Sequence, residues 1–361
     1  MSTLMQANRQ WASRPDDQRF TSLYDMQEHF DYIRQQSAGK VVSSRVIEAV
    51  PDMDNKGLYI QGKEQIPFAP THWAFDQVAR LAGAPPGYLR SLPSPIAADC
   101  VNYGLKIARD VDDVGLLLQR NGNNILRAAT GPKYGRIWNA DILRGMTRVF
   151  GDGVTGDWTV PGEFGKAVQV TKENTTLFAG DRDMFVFLAD ERNRIEIPNR
   201  RDGETGTLAR GFFVWNSEVG STSFGISTFL FDYVCCNRIV WGATDVKEIR
   251  LRHTVSAPVR FLEEIAPALQ SYANASAKSI TDGIEKARKA HIDNVEEFLA
   301  KRFSKRMADQ LMKTHELEEG RPIENLWDAA TAITAQARGI TWQDDRVALE
   351  RKAGELLSLA K

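Results

Sequence analysis

The sequence has little of what metal, disulfide or membrane chemistry requires. It holds three cysteines, Cys100, Cys235 and Cys236. An odd count with one adjacent pair is no disulfide framework, and a reducing compartment is the simpler expectation. The five histidines are His29, His72, His253, His291 and His315. No two are three to five residues apart and none is close to a cysteine, so zinc-ligand spacing is missing. His315-Glu316 opens like a zinc-protease helix, but position 319 is Glu319 rather than histidine. No apolar run reaches the length of about 18 residues that a membrane helix needs. The first 20 residues lack the apolar core of a signal peptide. The reading is therefore a cytoplasmic protein, in a bacterium or in a virus-infected one, with no membrane partner. A surplus of one charge is also lacking: 46 Lys and Arg against 47 Asp and Glu give a net charge of -1. Such a chain does not coat nucleic acid by bulk charge; any such site must be a local patch.

What is there fits a folded chain. Hydrophobic residues make up 42% of the 361 and charged residues 26%, too apolar for disorder over most of the length. Residues 1–40 read as a polar lead with scattered apolar anchors and one short helix. Residues 41–150 read as an α+β part. Its strand candidates KVVSSRVIEAV and GLYIQG flank a PDMDNKG turn. A helical hairpin at 71–92 is capped by Thr71, with Pro85 or Pro86 opening its second helix. VGLLLQR and NILRAAT form a hairpin around Asn121-Gly122, and a helix over 139–149 is capped by Asn139. Residues 151–165 read as a Gly-rich connection. Residues 166–257 read as an antiparallel β-rich part: the pattern has period two over 166–242, in runs such as KAVQVT, MFVFLA, GFFVWN and SFGISTFLFDYV, and Gly220-Ser221 joins the last two as a hairpin. Residues 258–361 read as helices, the last near 322–338 and 344–359. The expected fold class is α+β: an antiparallel β-rich centre flanked by an N-terminal helical hairpin and C-terminal helices.

Several motifs match a chemistry in letters but not in context. Gly151-Asp152-Gly153-Val154-Thr155-Gly156 spells GxGxxG. It follows a predicted helix and precedes strand formers, whereas a phosphate loop runs from strand into helix; a linker is the preferred reading. Asp181 and Asp183, with Asp112-Asp113, are carboxylates of the type hard cations prefer, and turn residues otherwise. The 73–92 hairpin has helix-turn-helix spacing, but Pro85, Pro86, Gly87 and Tyr88 make a poor base-reading surface. Cys235 and Cys236 read as buried packing residues. No cofactor motif emerges, and no catalytic or metal-ligating residue is assigned.

Charge between 116 and 150 is the strongest functional signal. Arg120, Arg127, Lys133, Arg136, Arg144 and Arg148 stand against Asp141 alone, with Tyr134 and Trp138 among them. Cations that neutralise phosphate and rings that stack on unpaired bases are what a single-strand groove requires. The competing reading is a basic face paired with acidic groups elsewhere in the fold. Lys247, Arg250 and Arg252 form a second basic stretch on a possible strand, whose alternation aims Lys247, and Arg250 or Arg252, at phosphate or solvent.

The segments THWAFDQVARLAGAPPGYLRSLP, ILRAATGPKYGRIWNADIL, GFFVWNSEVGSTSFGISTFLFDYVCCNRIVWG and ENLWDAATAITAQAR occur in that order. Together they resemble the phage/plasmid-like protein family, Domain of Unknown Function 932, from about residue 66 to the C-terminus. The resemblance implies a gene of phages, plasmids or integrative elements and no established activity. In outline the arrangement is also similar to the Rad52-like single-strand annealing proteins, an analogy of architecture. Three function classes stay open. One is a single-stranded DNA binding or annealing protein of recombination or replication, acting without bond cleavage through the residues just named. The second is a scaffold, or a protein that interferes with host defence through a host or phage protein partner. The third is a metal-dependent nuclease using Asp181 and Asp183. DNA versus RNA and a homo-oligomeric state also stay open.

Overall fold

A computed structural model describes residues 14–53, 57–108, 113–120, 122–160, 169–201, 204–232, 238–239, 249–274, 278–338, 340 and 343–360. Within them the chain is α+β, as expected. Strand β1 (Arg19–Phe20) is followed by helix α1 (Leu23–Gln35). Next come β2 (Ser37–Ser43), the hairpin β3 (Glu48–Pro51) and β4 (Leu58–Gln61), and the short β5 (Ala69–Pro70). Helices α2 (His72–Leu81), α3 (Pro86–Ser91) and α4 (Ser94–Ile107) lead to the hairpin β6 (Asp113–Arg120) and β7 (Asn124–Thr130). Strands β2, β6, β7 and β5 form one sheet in that order, with β5 parallel to β7. The Thr71 hydroxyl accepts the Ala74 N–H and caps α2, and Pro86 occupies the first turn of α3.

Helix α5 (Asn139–Phe150) leads into the central sheet. Its described strands are β8 (Trp158–Thr159), β9 (Leu177–Ala179), β10 (Met184–Asp190), β11 (Ile195–Arg201), β12 (Glu204–Asn216), β13 (Phe224–Asp232), β14 (Arg238–Ile239) and β15 (Ile249–Leu251). The main path runs β1-β9-β10-β12-β13-β14; β8 also pairs β10, β11 pairs β12 and β15 pairs β13. Residues 169–171 of the expected KAVQVT strand are not in a strand. Alternation splits the side chains of β10 and β12 between two faces. Met184, Val186 and Leu188 join Phe212 and Val214 in a core completed by α1, α5 and the helices after β15. Phe185, Phe187, Phe213, Trp215 and Phe229 form a separate aromatic cluster on the opposite face. Both faces are buried, so β10 reads as a continuous apolar run rather than as clean alternation.

The C-terminal part begins with α6 (Ala257–Arg260), a π-helical turn over Phe261–Ile265 and α7 (Ala266–Asn274). Helices α8 (Lys278–Lys289), α9 (Val295–Ala300), α10 (Lys305–Glu319), α11 (Leu326–Arg338) and α12 (Gln343–Leu357) pack around a second core. The polar lead is more structured than its composition indicates. From residue 14 on it pairs with β9 and buries Phe20, Leu23, Met26 and Phe30.

Candidate nucleic-acid interface

The basic segment divides into residues that the fold uses internally and residues that face solvent. The dividing feature is the turn between β12 and β13, where Gly220 takes a φ of 83°, a region that L side chains avoid. Glu218 in this turn is buried. One of its carboxylate oxygens accepts from Arg127 Nη2 at 2.7 Å, and the other accepts the Asn139 backbone N–H at 2.8 Å. Asn139 opens α5, so the carboxylate also faces the positive end of that helix. A buried carboxylate is costly unless paired and hydrogen-bonded, and here it is both.

The neighbours complete a collar. Arg136 donates to the Glu218 carbonyl oxygen. The Tyr134 hydroxyl donates to the Ser217 carbonyl oxygen at 2.7 Å. Trp73 Nε1 and Gln77 Nε2 both donate to the Val219 carbonyl oxygen, at 3.0 and 2.8 Å. Asn216 Nδ2 donates to the Ile137 carbonyl oxygen and to Asn139 Oδ1. The Asn139 side chain is therefore taken by the hairpin, and Trp138 rather than Asn139 stands at the cap position of α5. Trp138 lies between Arg34 and Arg136, whose guanidinium carbons are 5.4 and 5.7 Å from its ring centre.

Arg127, Tyr134, Arg136 and Trp138, expected to contact nucleic acid, thus hold the β12–β13 turn. Long-range partners supply the reason: Glu218 and the turn carbonyls need donors inside the protein. Burial pushes the Tyr134 hydroxyl well above its ordinary range and lowers the Arg136 guanidinium. Arg144 pairs with Asp31 at 2.9 Å and lies near Asp141, which also binds Arg34. Arg148 is exposed one helical turn on. Arg120 sits beside Asn124 at the turn end of the β6–β7 hairpin. Lys133 lies beyond the other end, roughly 20 Å away at about 3.3 Å per strand residue.

A second grouping does form. The backbone N–H of Gly135 donates to the His253 carbonyl oxygen at 3.0 Å, and His253 Nδ1 donates to the Gly135 carbonyl oxygen at 3.1 Å. The Tyr134 and His253 rings stack at 4.8 Å with 22° between planes. A Cβ on Gly135 would lie 1.7 Å from the Thr254 carbonyl oxygen, so only glycine permits this approach. The loop carrying Lys133 is thereby seated against the strand end carrying Arg252. Lys133, Arg250 and Arg252 are exposed, and Val255 beside them is 69% exposed. Burial, opposed by the bond to Gly135, lowers the His253 pKa to about 4, so the ring is neutral near pH 7. Lys247, Cys235 and Cys236 lie outside the described residues.

The other motifs are also placed. Residues 71–91 form two helices whose buried side chains include Ala74, Val78, Ala79 and Leu89, and Arg90 pairs with Asp76. In the Gly-rich segment the Asp152 carboxylate accepts the N–H groups of Val154 and Thr155. Those donors are thus occupied by an anion of the chain itself. Asp183 pairs with Arg14. Among the described residues no group of three or more His, Cys, Asp or Glu side chains is arranged to hold a metal ion. Among them, too, no helix is long and apolar enough to cross a membrane.

A family model described as "Domain of unknown function (DUF932)" matches residues 164–351. The chain belongs to the DUF932 family. The match covers β9 to β15 and most of the helical part, including Glu218 and His253. It starts well after residue 66, so the collar joins a turn inside the matched DUF932 region to strands and helices outside it. No curated protein and no solved structure matches the chain.

Proposed function

We propose that this DUF932 protein binds the phosphate backbone of single-stranded DNA, without breaking bonds, at the junction of the 131–136 loop with residues 249–256. The observation that carries this reading is the convergence of two basic segments far apart in sequence. Gly135 and His253 join their backbones, and Lys133, Arg250 and Arg252 are presented to solvent around that joint. Exposed cations release condensed counterions when they meet phosphates, which supplies affinity without sequence preference. The rings of Tyr134 and Trp138 are engaged internally, so exposed Val255 is the apolar contact available to an unpaired base. The resemblance to phage/plasmid-like proteins fits a role in recombination or replication of a mobile element. A labelled single-stranded oligonucleotide titrated at several salt concentrations tests the reading. Affinity that falls with salt, with a slope of roughly two to three phosphate contacts, supports it. Binding that ignores salt, or no binding at low salt, removes it.

A further inference from the structure

Arg120, at the turn end of the β6–β7 hairpin, stands at a different feature. Between β2, the β6–β7 hairpin and the β4–β5 connection lies a cavity of about 410 Å³. Its walls include Ile60, Ile66, Phe68, Leu116, Leu118 and Leu126. Its rim carries Lys40, Lys63, Glu64 and Arg120. The volume lies within the span of small-molecule sites, and so does the combination of an apolar body with a few polar groups.

The charges at the rim are unbalanced. Lys40 forms an ion pair with Glu64, which holds that carboxyl below the usual range by a hydrogen bond and by charge. Among the described residues Lys63 and Arg120 form no ion pair, and the Arg120 charge also helps lower the Glu64 carboxyl. The Arg120 guanidinium carbon lies 5.6 Å from the centre of the Phe68 ring, a wall of the cavity. A guanidinium at the mouth of an apolar cavity is a forked donor suited to a carboxylate. Gln65, at the tip of the 62–66 turn, adopts a φ of 52°, unusual for a residue other than glycine.

We infer that this cavity binds a small amphipathic carboxylate, with its acyl or ring body between Phe68 and Leu126 and its acid group on Arg120 beside Lys63. The site lies wholly outside the region that the family model matches and does not depend on the nucleic-acid reading.

Displacement of the fluorescent probe 1-anilinonaphthalene-8-sulfonate from the full chain tests it. The probe should bind saturably at one site. Decanoate should displace it at lower concentration than decanol, and decyltrimethylammonium should be weakest. Arg120→Gln, a change at an exposed side chain, should weaken decanoate roughly tenfold and leave decanol unchanged. Leu118→Trp, which fills the cavity, should abolish displacement by both; circular dichroism checks that it folds. The inference is overturned if the probe does not saturate at one site, if decanoate and decyltrimethylammonium compete equally, or if the Arg120→Gln protein binds decanoate like the parent. Folded Leu118→Trp protein with unchanged binding overturns it as well.

Discussion

Arg127 on β7 and Glu218 in the β12–β13 turn, 91 residues apart in sequence, meet as a buried ion pair at 2.7 Å. The pair ties the four-stranded sheet to the central one. Removing one partner leaves the other charge buried without compensation. Glu218→Ala should therefore lower the stability to denaturant by about 3–5 kcal/mol. The double change Arg127→Met with Glu218→Leu should recover much of that loss, because neither member of the pair is then left charged without its partner. Urea unfolding of the two variants gives the comparison. Equal losses in both would show that packing rather than charge dominates the site.

A second prediction concerns pH. His253 titrates near 4 in the folded protein, below its ordinary 6.5, because burial disfavours the charged ring. His29 is shifted in the same direction, first by burial and then by the field of Arg127. Above pH 6.5 both rings are neutral in the folded and unfolded chains, and neither affects stability. Between about 6.5 and 4 the unfolded chain binds protons that the folded chain refuses, so stability falls as pH falls. Below about 4 the His253 contribution levels off. Its full size is about 3 kcal/mol. Melting temperature followed from pH 7 to pH 4 should decline, and His253→Gln should flatten part of that decline. An unchanged slope in the variant would contradict the burial of this ring.

Gly135 is the third test. Alanine there would place its Cβ 1.7 Å from the Thr254 carbonyl oxygen. The loop must lift away from the 252–255 segment, at a cost of about 1–3 kcal/mol for overpacking. Gly135→Ala should then return the His253 pKa toward 6.5, as read by proton NMR titration, and weaken binding of single-stranded DNA. A folded variant whose His253 still titrates near 4 would show that the contact does not control the junction.

Much of the fold was legible in the sequence, because local physics carries it. Thr71 caps its helix, Pro86 opens the next, and Gly220 takes the positive φ in the β12–β13 turn. Helix α4 is not among the expected elements, although Pro95 sits where a helix tolerates proline. The lead reads as polar with scattered anchors and one short helix, because its apolar residues are sparse. Leu23, Met26 and Phe30 of α1 nevertheless bury at helical spacing, beside Phe20 of β1, once the central sheet gives them a surface. The charged segment was legible as composition but not as roles. No local pattern links Arg127 to Glu218, or Arg144 to Asp31. One signal was available: Glu218 is a lone carboxylate between two strongly apolar strands, and such a group demands a cationic partner from elsewhere in the fold. For His253 the sequence offers no comparable mark, since its partner is a backbone carbonyl.

The central claim is that phosphate is held where the 131–136 loop meets residues 249–256. Its most direct measurement compares the parent with Lys133→Glu plus Arg252→Glu, and with Arg148→Glu on helix α5 as a control. Affinity for a single-stranded oligonucleotide is read at low salt, and folding is checked by thermal melting. The paired change should reduce affinity at least tenfold and lower the salt slope by about two, while Arg148→Glu leaves both nearly unchanged. Equal affinity in parent and paired variant, or a larger loss from Arg148→Glu, would contradict the account.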